Sequence, residues 1–193
     1  MKLIIEHDSD VENPNEDGDW KFVSFNDRHR NSEDPFKYLT MKDGEVVGAN
    51  IGIARKLEVG TAFVVSCYEH SGCSYSLKGE GRQCRWDTTQ NAGILLWTQP
   101  PQNLGAKTYA ERQQDARNYL EVYEDWANGN CYQYRIEDDD GKDLAKGGGY
   151  IGKKHLIECL KEDHPELFDE GADKNKTLKK DIEVDGEADW VLK

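Results

Sequence analysis

The chain has 193 residues, enough for one good-sized core, and carries 25 Lys plus Arg against 38 Asp plus Glu for a net charge of −13. So acidic a surface repels a bare phosphate backbone, so direct duplex binding is disfavoured. Five cysteines, an odd number without the regular spacing of a secreted scaffold, fit reduced thiols. The opening Met1-Lys2-Leu3-Ile4-Ile5 is too short for a signal peptide or a membrane span, and the expected location is cytoplasmic. Residues 2–7 read as a first strand. Residues 6–19 then bring seven acids and no Lys or Arg. Such a block is a solvated loop or an imitation of spaced phosphates. Asp8, Asp10 and Glu12 alternate like a calcium loop, but Asn13 stands where the sharp-turn Gly belongs and Asp19 closes in place of Glu.

Residues 20–25, aromatic and β-branched, predict a second strand, and 26–32 a polar loop with Arg28, His29 and Arg30. That basic island either pairs with nearby acids or holds a substrate phosphate. Asp34-Pro35 predicts a helix to about residue 41, with Pro at its first position. Residues 45–57 are ambiguous, since Gly48 and Gly52 weaken a helix there. In 61–69, alternation places Phe63, Val65 and Cys67 on one apolar face and Val64, Ser66 and Tyr68 on the other. His70-Ser71-Gly72 breaks the pattern and 73–77 resumes it, which predicts a hairpin with His70 at or near the tip. A Gly-rich turn at 78–81 leads to 83–87, and 93–98 is an apolar run typical of a buried strand. This pairing brings Cys84, Trp86 and Asp87 back toward His70.

Two segments here, Tyr68-Glu69-His70-Ser71-Gly72 and Cys84-Arg85-Trp86-Asp87-Thr88-Thr89-Gln90-Asn91-Ala92-Gly93-Ile94, resemble a family of small acidic proteins encoded by bacteriophages. Its members carry Tyr-Asp-His-Ser-Gly followed by Cys-x-Trp-Asp-Ser-Gly-Gln-x-Gly. Glu69 stands here for Asp, and Thr88-Thr89 for Ser-Gly. The likeness continues through a charged helix to Gly149-Tyr150-Ile151-Gly152 and covers roughly residues 1–152. The family has no activity assigned to it as a whole. What the resemblance implies is a phage-encoded protein in the cytoplasm of an infected bacterium.

Further on, Thr108 and Glu111 form a capping box that opens a helix. Tyr109, Ala116, Tyr119, Leu120, Tyr123, Trp126 and Ala127 give it one apolar stripe to lay on a sheet. Its outer face carries Glu111, Asp115, Glu121, Glu124 and Asp125. Residues 131–136 alternate as a strand, Asp138-Asp139-Asp140-Gly141 turns, and 143–151 returns, with Gly147–Gly149 marking a bulge or a close backbone approach. Residues 153–163 predict a short helix stopped by Pro165. The expected organisation is one α+β domain over 1–165, mainly antiparallel and packed by the long helix, and an acidic C-terminal extension over 166–193, either disordered or contributing an accessory strand pair.

Three chemistries compete for residues 63–97. Cys67, His70, Cys73 and Cys84 have spacings a zinc ion accepts; without it no cofactor is implied. Alternatively Cys84 is a nucleophile activated by His70 and oriented by Asp87. The third reading is structural or binding, with His70 bonded to Asp87, Trp86 packed, and Ser71 and Gln90 supplying hydrogen bonds. Two functions follow. The first is an accessory or anti-defence protein that inhibits a host nucleic-acid-handling factor through a DNA-mimicking acidic surface built from Asp8, Asp10, Glu12, Glu16, Asp17, Glu121, Asp125, Asp138 and Asp139. The second is a small-ligand protein, binding or hydrolysing a nucleotide in a pocket of His70, Ser71, Cys84, Trp86, Asp87 and Gln90, with Arg28 or Arg30 on its phosphate.

Overall fold

The computed structural model describes residues 1–168 except Arg30, Gly44 and Leu104, together with the backbone of 183–186. Its elements run β1 (Lys2–His7), α1 (Pro14–Asp17), β2 (Trp20–Ser24), β3 (Leu39–Lys42), β4 (Glu45–Ala49), α2 (Ile51–Val59), β5 (Ala62–Glu69), β6 (Cys73–Leu77) and β7 (Thr88–Trp97). They continue with α3 (Tyr109–Ala127), β8 (Cys131–Glu137), β9 (Asp143–Ile151), α4 (Lys153–Asp163) and β10 (Glu183–Gly186). The fold is α+β, and its strand pairs are antiparallel except β1 with β10. The chain divides into two compact units, Met1–Glu12 with Asp125–Lys193, and Asn13–Glu124. No described helix is long and apolar enough to cross a membrane.

The first unit is a sheet in the order β10-β1-β8-β9. Alternation in β1 and β8 sends Leu3, Ile5, Tyr132, Tyr134 and Ile136 to one face, where Leu156 and Leu160 of α4 meet them with Leu167 and Phe168. The β8–β9 hairpin closes as the Asp-Gly pair predicts. The Asp138 carboxylate accepts from the amides of Asp140 (3.0 Å) and Lys142 (2.9 Å). The β8–β9 register shifts between Tyr132↔Tyr150 and Tyr134↔Gly147, so the glycine run carries a bulge, and at Gly147 a Cβ would lie 2.7 Å from both Tyr134 Cε1 and Tyr150 Oη, a close approach as well. In place of the accessory strand pair weighed for the tail, the described residues there hold one strand, β10, which runs parallel to β1 with Val184 opposite Leu3. Ile182, Trp190, Val191 and Leu192 lie outside the described residues.

The second unit is built on the sheet β2-β7-β5-β6. One face receives α3: Tyr123 packs its ring 4.9 Å from Phe22 and 5.5 Å from Tyr75, above buried Phe63, Val65 and Cys67. Each large ring buried there is worth roughly 1.5–3 kcal/mol. The other face is covered too. Val23, Ala62 and Ile94 pack with Leu39 and Ile53, which places α2 and the β3–β4 hairpin beneath the sheet.

One local expectation changes. The helix predicted over 34–41 is a single 3₁₀ turn, Pro35–Lys37, followed by β3. Leu39 buries only if the chain leaves the turn extended, and its 2 % exposure shows that tertiary burial prevails over the Asp-Pro start signal. Residues 83–87 belong to the loop between β6 and β7.

Candidate functional site

The β5–β6 hairpin turns through His70–Gly72, where the His70 amide donates to Gly72 O at 3.2 Å. The Glu69 amide reaches across to Asp87 O at 2.8 Å, so the loop before β7 is held against the hairpin end. Two of the expected residues thereby meet at Asp87. Its Oδ2 accepts the Cys84 thiol at 3.3 Å and lies 3.9 Å from His70 Nδ1. Although both reach this one oxygen, the His70 ring and Cys84 Sγ are too far apart to join it in one ligand group. The order is thiol, carboxylate, imidazole. A cysteine nucleophile needs the base on its sulfur, and here a carboxylate occupies that place.

Other candidates disperse. Trp86 is not packed: it is 84 % exposed, with the Arg85 guanidinium 5.3 Å from its ring centre. Arg82 lies over Tyr68 at 4.6 Å, and Tyr68 stacks on His70. Ser71 is exposed at the hairpin tip. Gln90 accepts the Ser66 hydroxyl through its backbone carbonyl at 3.1 Å, inside the sheet. Arg28 pairs with Glu69 at 3.7 Å. Arg30 falls outside the described residues.

Among the described residues, the zinc set Cys67, His70, Cys73 and Cys84 does not assemble. Cross-strand register explains why: Glu69 faces Cys73, whereas His70 and Cys84 are drawn to Asp87. A different trio does converge. A ring nitrogen of His29, a carboxylate oxygen of Glu69 and Cys73 Sγ lie within 4.8 Å of one another. Cys67 sits behind it, hydrogen-bonded to Cys73, and its thiol is pushed up to about 12, first by burial and then by Cys73 and Glu69. In the sequence His29 is only the middle of a basic island; what sets it apart is its buried partner Ser24, which ends β2.

The acids divide sharply by role. On α3, Asp115 accepts from Trp20 Nε1 at 2.9 Å, Glu124 from the Tyr75 amide at 2.7 Å, Asp125 from Asn130 Nδ2 at 3.0 Å, and Glu111 closes the capping box. Of that expected negative face, Glu121 stays exposed without such a bond. Asp8 accepts from the Gly149 amide at 2.8 Å, Asp138 closes its turn, and Asp139 pairs with the N-terminal ammonium. By contrast Glu6, Asp10, Glu12, Glu16, Asp17 and Asp19 are exposed, with no ion-pair partner among the described residues. The calcium pattern is not formed there, since Pro14–Asp17 is a helical turn capped by Asn13.

The described cavities lie away from Asp87. One of about 420 Å³ in the second unit is lined by Trp20, Trp97, Asp115, Asn118 and Tyr119, and the buried Trp97 Nε1 beside it has no hydrogen-bond partner. Another, of about 450 Å³ in the first unit, lies over Tyr134, Arg135 and Gly147. Comparison with protein-family models, curated proteins and solved structures finds no match. The phage-family likeness therefore rests on its motif residues alone.

Proposed function

We propose that the protein is a phage-type accessory factor that acts by binding, engaging and inhibiting a host nucleic-acid-handling protein through carboxylates that stand in for phosphates. The observation that carries this reading is the run of six exposed acids between residues 6 and 19 with no cationic partner among the described residues. Exposed like charges repel one another and contribute nothing to folding, so their accumulation in one stretch is better accounted for by a basic partner than by the fold. The place of Asp87 between Cys84 and His70 supports binding over hydrolysis. Capture from bacterial lysate tests it: at low salt the native protein retains a nucleic-acid-binding protein that is released by added salt and by DNA or RNA. Recovery of no such partner overturns the reading.

A second reading is favoured by Trp86, whose ring is offered to solvent with the Arg85 guanidinium beside it, while Arg82 lies over Tyr68, which stacks on His70. Aromatic faces with adjacent guanidinium groups suit a nucleotide or a single strand, with bases stacked and phosphates paired. Nucleotide quenching of tryptophan fluorescence that vanishes in Trp86→Ala supports it, and equal quenching in that variant rejects it.

A further inference from the structure

We propose that His29, Glu69 and Cys73 form a binding site for a zinc-class divalent ion, which ties the loop after β2 to the β5–β6 hairpin. The inference does not depend on the function proposed above. Each ligand is fixed by its own piece of backbone. Glu69 and Cys73 are direct partners in the β5–β6 register, at the two ends of the His70–Gly72 turn. His29 is delivered by a turn in which its amide donates to Asn26 O at 2.9 Å, while the Asn26 amide donates to Ser24 Oγ at 3.1 Å. Ser24 is fully buried, and its Oγ lies 2.8 Å from His29 Nδ1. That hydroxyl orients the imidazole as outer-shell partners of ligating histidines do, and leaves Nε2 for a metal. Asn26 Nδ2 stands 3.5 Å from Nε2, at the outer limit of a hydrogen bond, so little is lost when a cation replaces it.

Ligand type decides the ion. Imidazole, thiolate and one carboxylate suit zinc and its soft neighbours and exclude calcium or magnesium, which require oxygen shells. Around one tetrahedral zinc, N, O and S ligand atoms stand roughly 3.3–3.8 Å apart, so a trio already within 4.8 Å closes by small side-chain rotations. Binding releases the Cys73 thiol proton to solvent and forms the sulfur–metal bond. The competing Arg28–Glu69 pair, at 3.7 Å and largely exposed, offers little resistance. Three protein ligands leave a fourth position for water or for a group brought by a partner.

The test is titration of metal-free, full-length protein with cobalt(II), read by the thiolate-to-cobalt charge-transfer band. Wild type and Cys84→Ser develop the band, and zinc abolishes it. Cys73→Ser shows none, and His29→Ala and Glu69→Gln weaken binding at least about tenfold. In parallel, zinc protects Cys73 but not Cys84 of the wild type from alkylation, which keeps the test decisive if Cys73→Ser misfolds. A wild type without the band, a Cys73→Ser variant that retains it, or equal alkylation of Cys73 with and without zinc overturns the proposal.

Discussion

At Gly93, in the middle of β7, a Cβ would run into Val23 O and lie 2.5 Å from the Phe22 ring. Neither is the end of a flexible side chain, so Gly93→Ala forces backbone or ring to move and is predicted to cost about 1–3 kcal/mol in a urea unfolding experiment. An unchanged midpoint would contradict the packing described here. The apolar run 93–98 was legible in the sequence as a strand, but not this contact, because the atoms it meets lie some seventy residues earlier in the chain. His29 shows the same limit. Its membership of a site depends on Glu69 and Cys73, and no local spacing links the three. What sequence did convey is the proximity of His70 and Asp87, because hairpin and loop are both short.

Among the elements, α2 was hidden in a segment whose glycines argued against a helix. Its signals were Asn50, whose Oδ1 accepts the Ile53 amide at 2.9 Å, and Gly60, which ends it in the left-handed conformation at φ +71°. Asn50→Ala is predicted to lose about 1 kcal/mol in thermal or urea unfolding, and a neutral result removes the cap from the account. The turn before β3 gives a pH-dependent prediction. Glu33 accepts from the Tyr38 hydroxyl at 2.9 Å and from Lys37 at 3.2 Å, which holds its carboxyl below the usual 4.5. A lowered folded-state value stabilises at neutral pH, and that contribution fades as pH falls through the carboxylate range. Wild type should therefore melt above Glu33→Gln at neutral pH, with the gap closing as pH falls below the usual carboxylate range. A gap independent of pH would rule out the linkage. The capping box of α3 was readable because both partners lie within one turn.

For the molecule as a whole, the α+β class followed from strand-rich halves flanking one long helix, while the pairing of β1 with β8 did not. Those strands are separated by most of the chain, and alternation says which face is apolar without saying which strand lies beside it. Charge was legible as a total of −13 but not as a pattern. The helix acids look like a surface in sequence, yet in the structure Asp115, Glu124 and Asp125 hold Trp20, the β6 backbone and Asn130. That division makes the central claim testable by one measurement: the salt dependence of host-protein capture by wild type and by a variant carrying Asp10→Asn, Glu12→Gln, Glu16→Gln and Asp17→Asn. If the exposed stretch imitates phosphates, wild-type capture falls steeply with salt and is competed by DNA, while the variant captures little at any salt. Capture by the variant equal to wild type, with the same salt slope, would contradict the account.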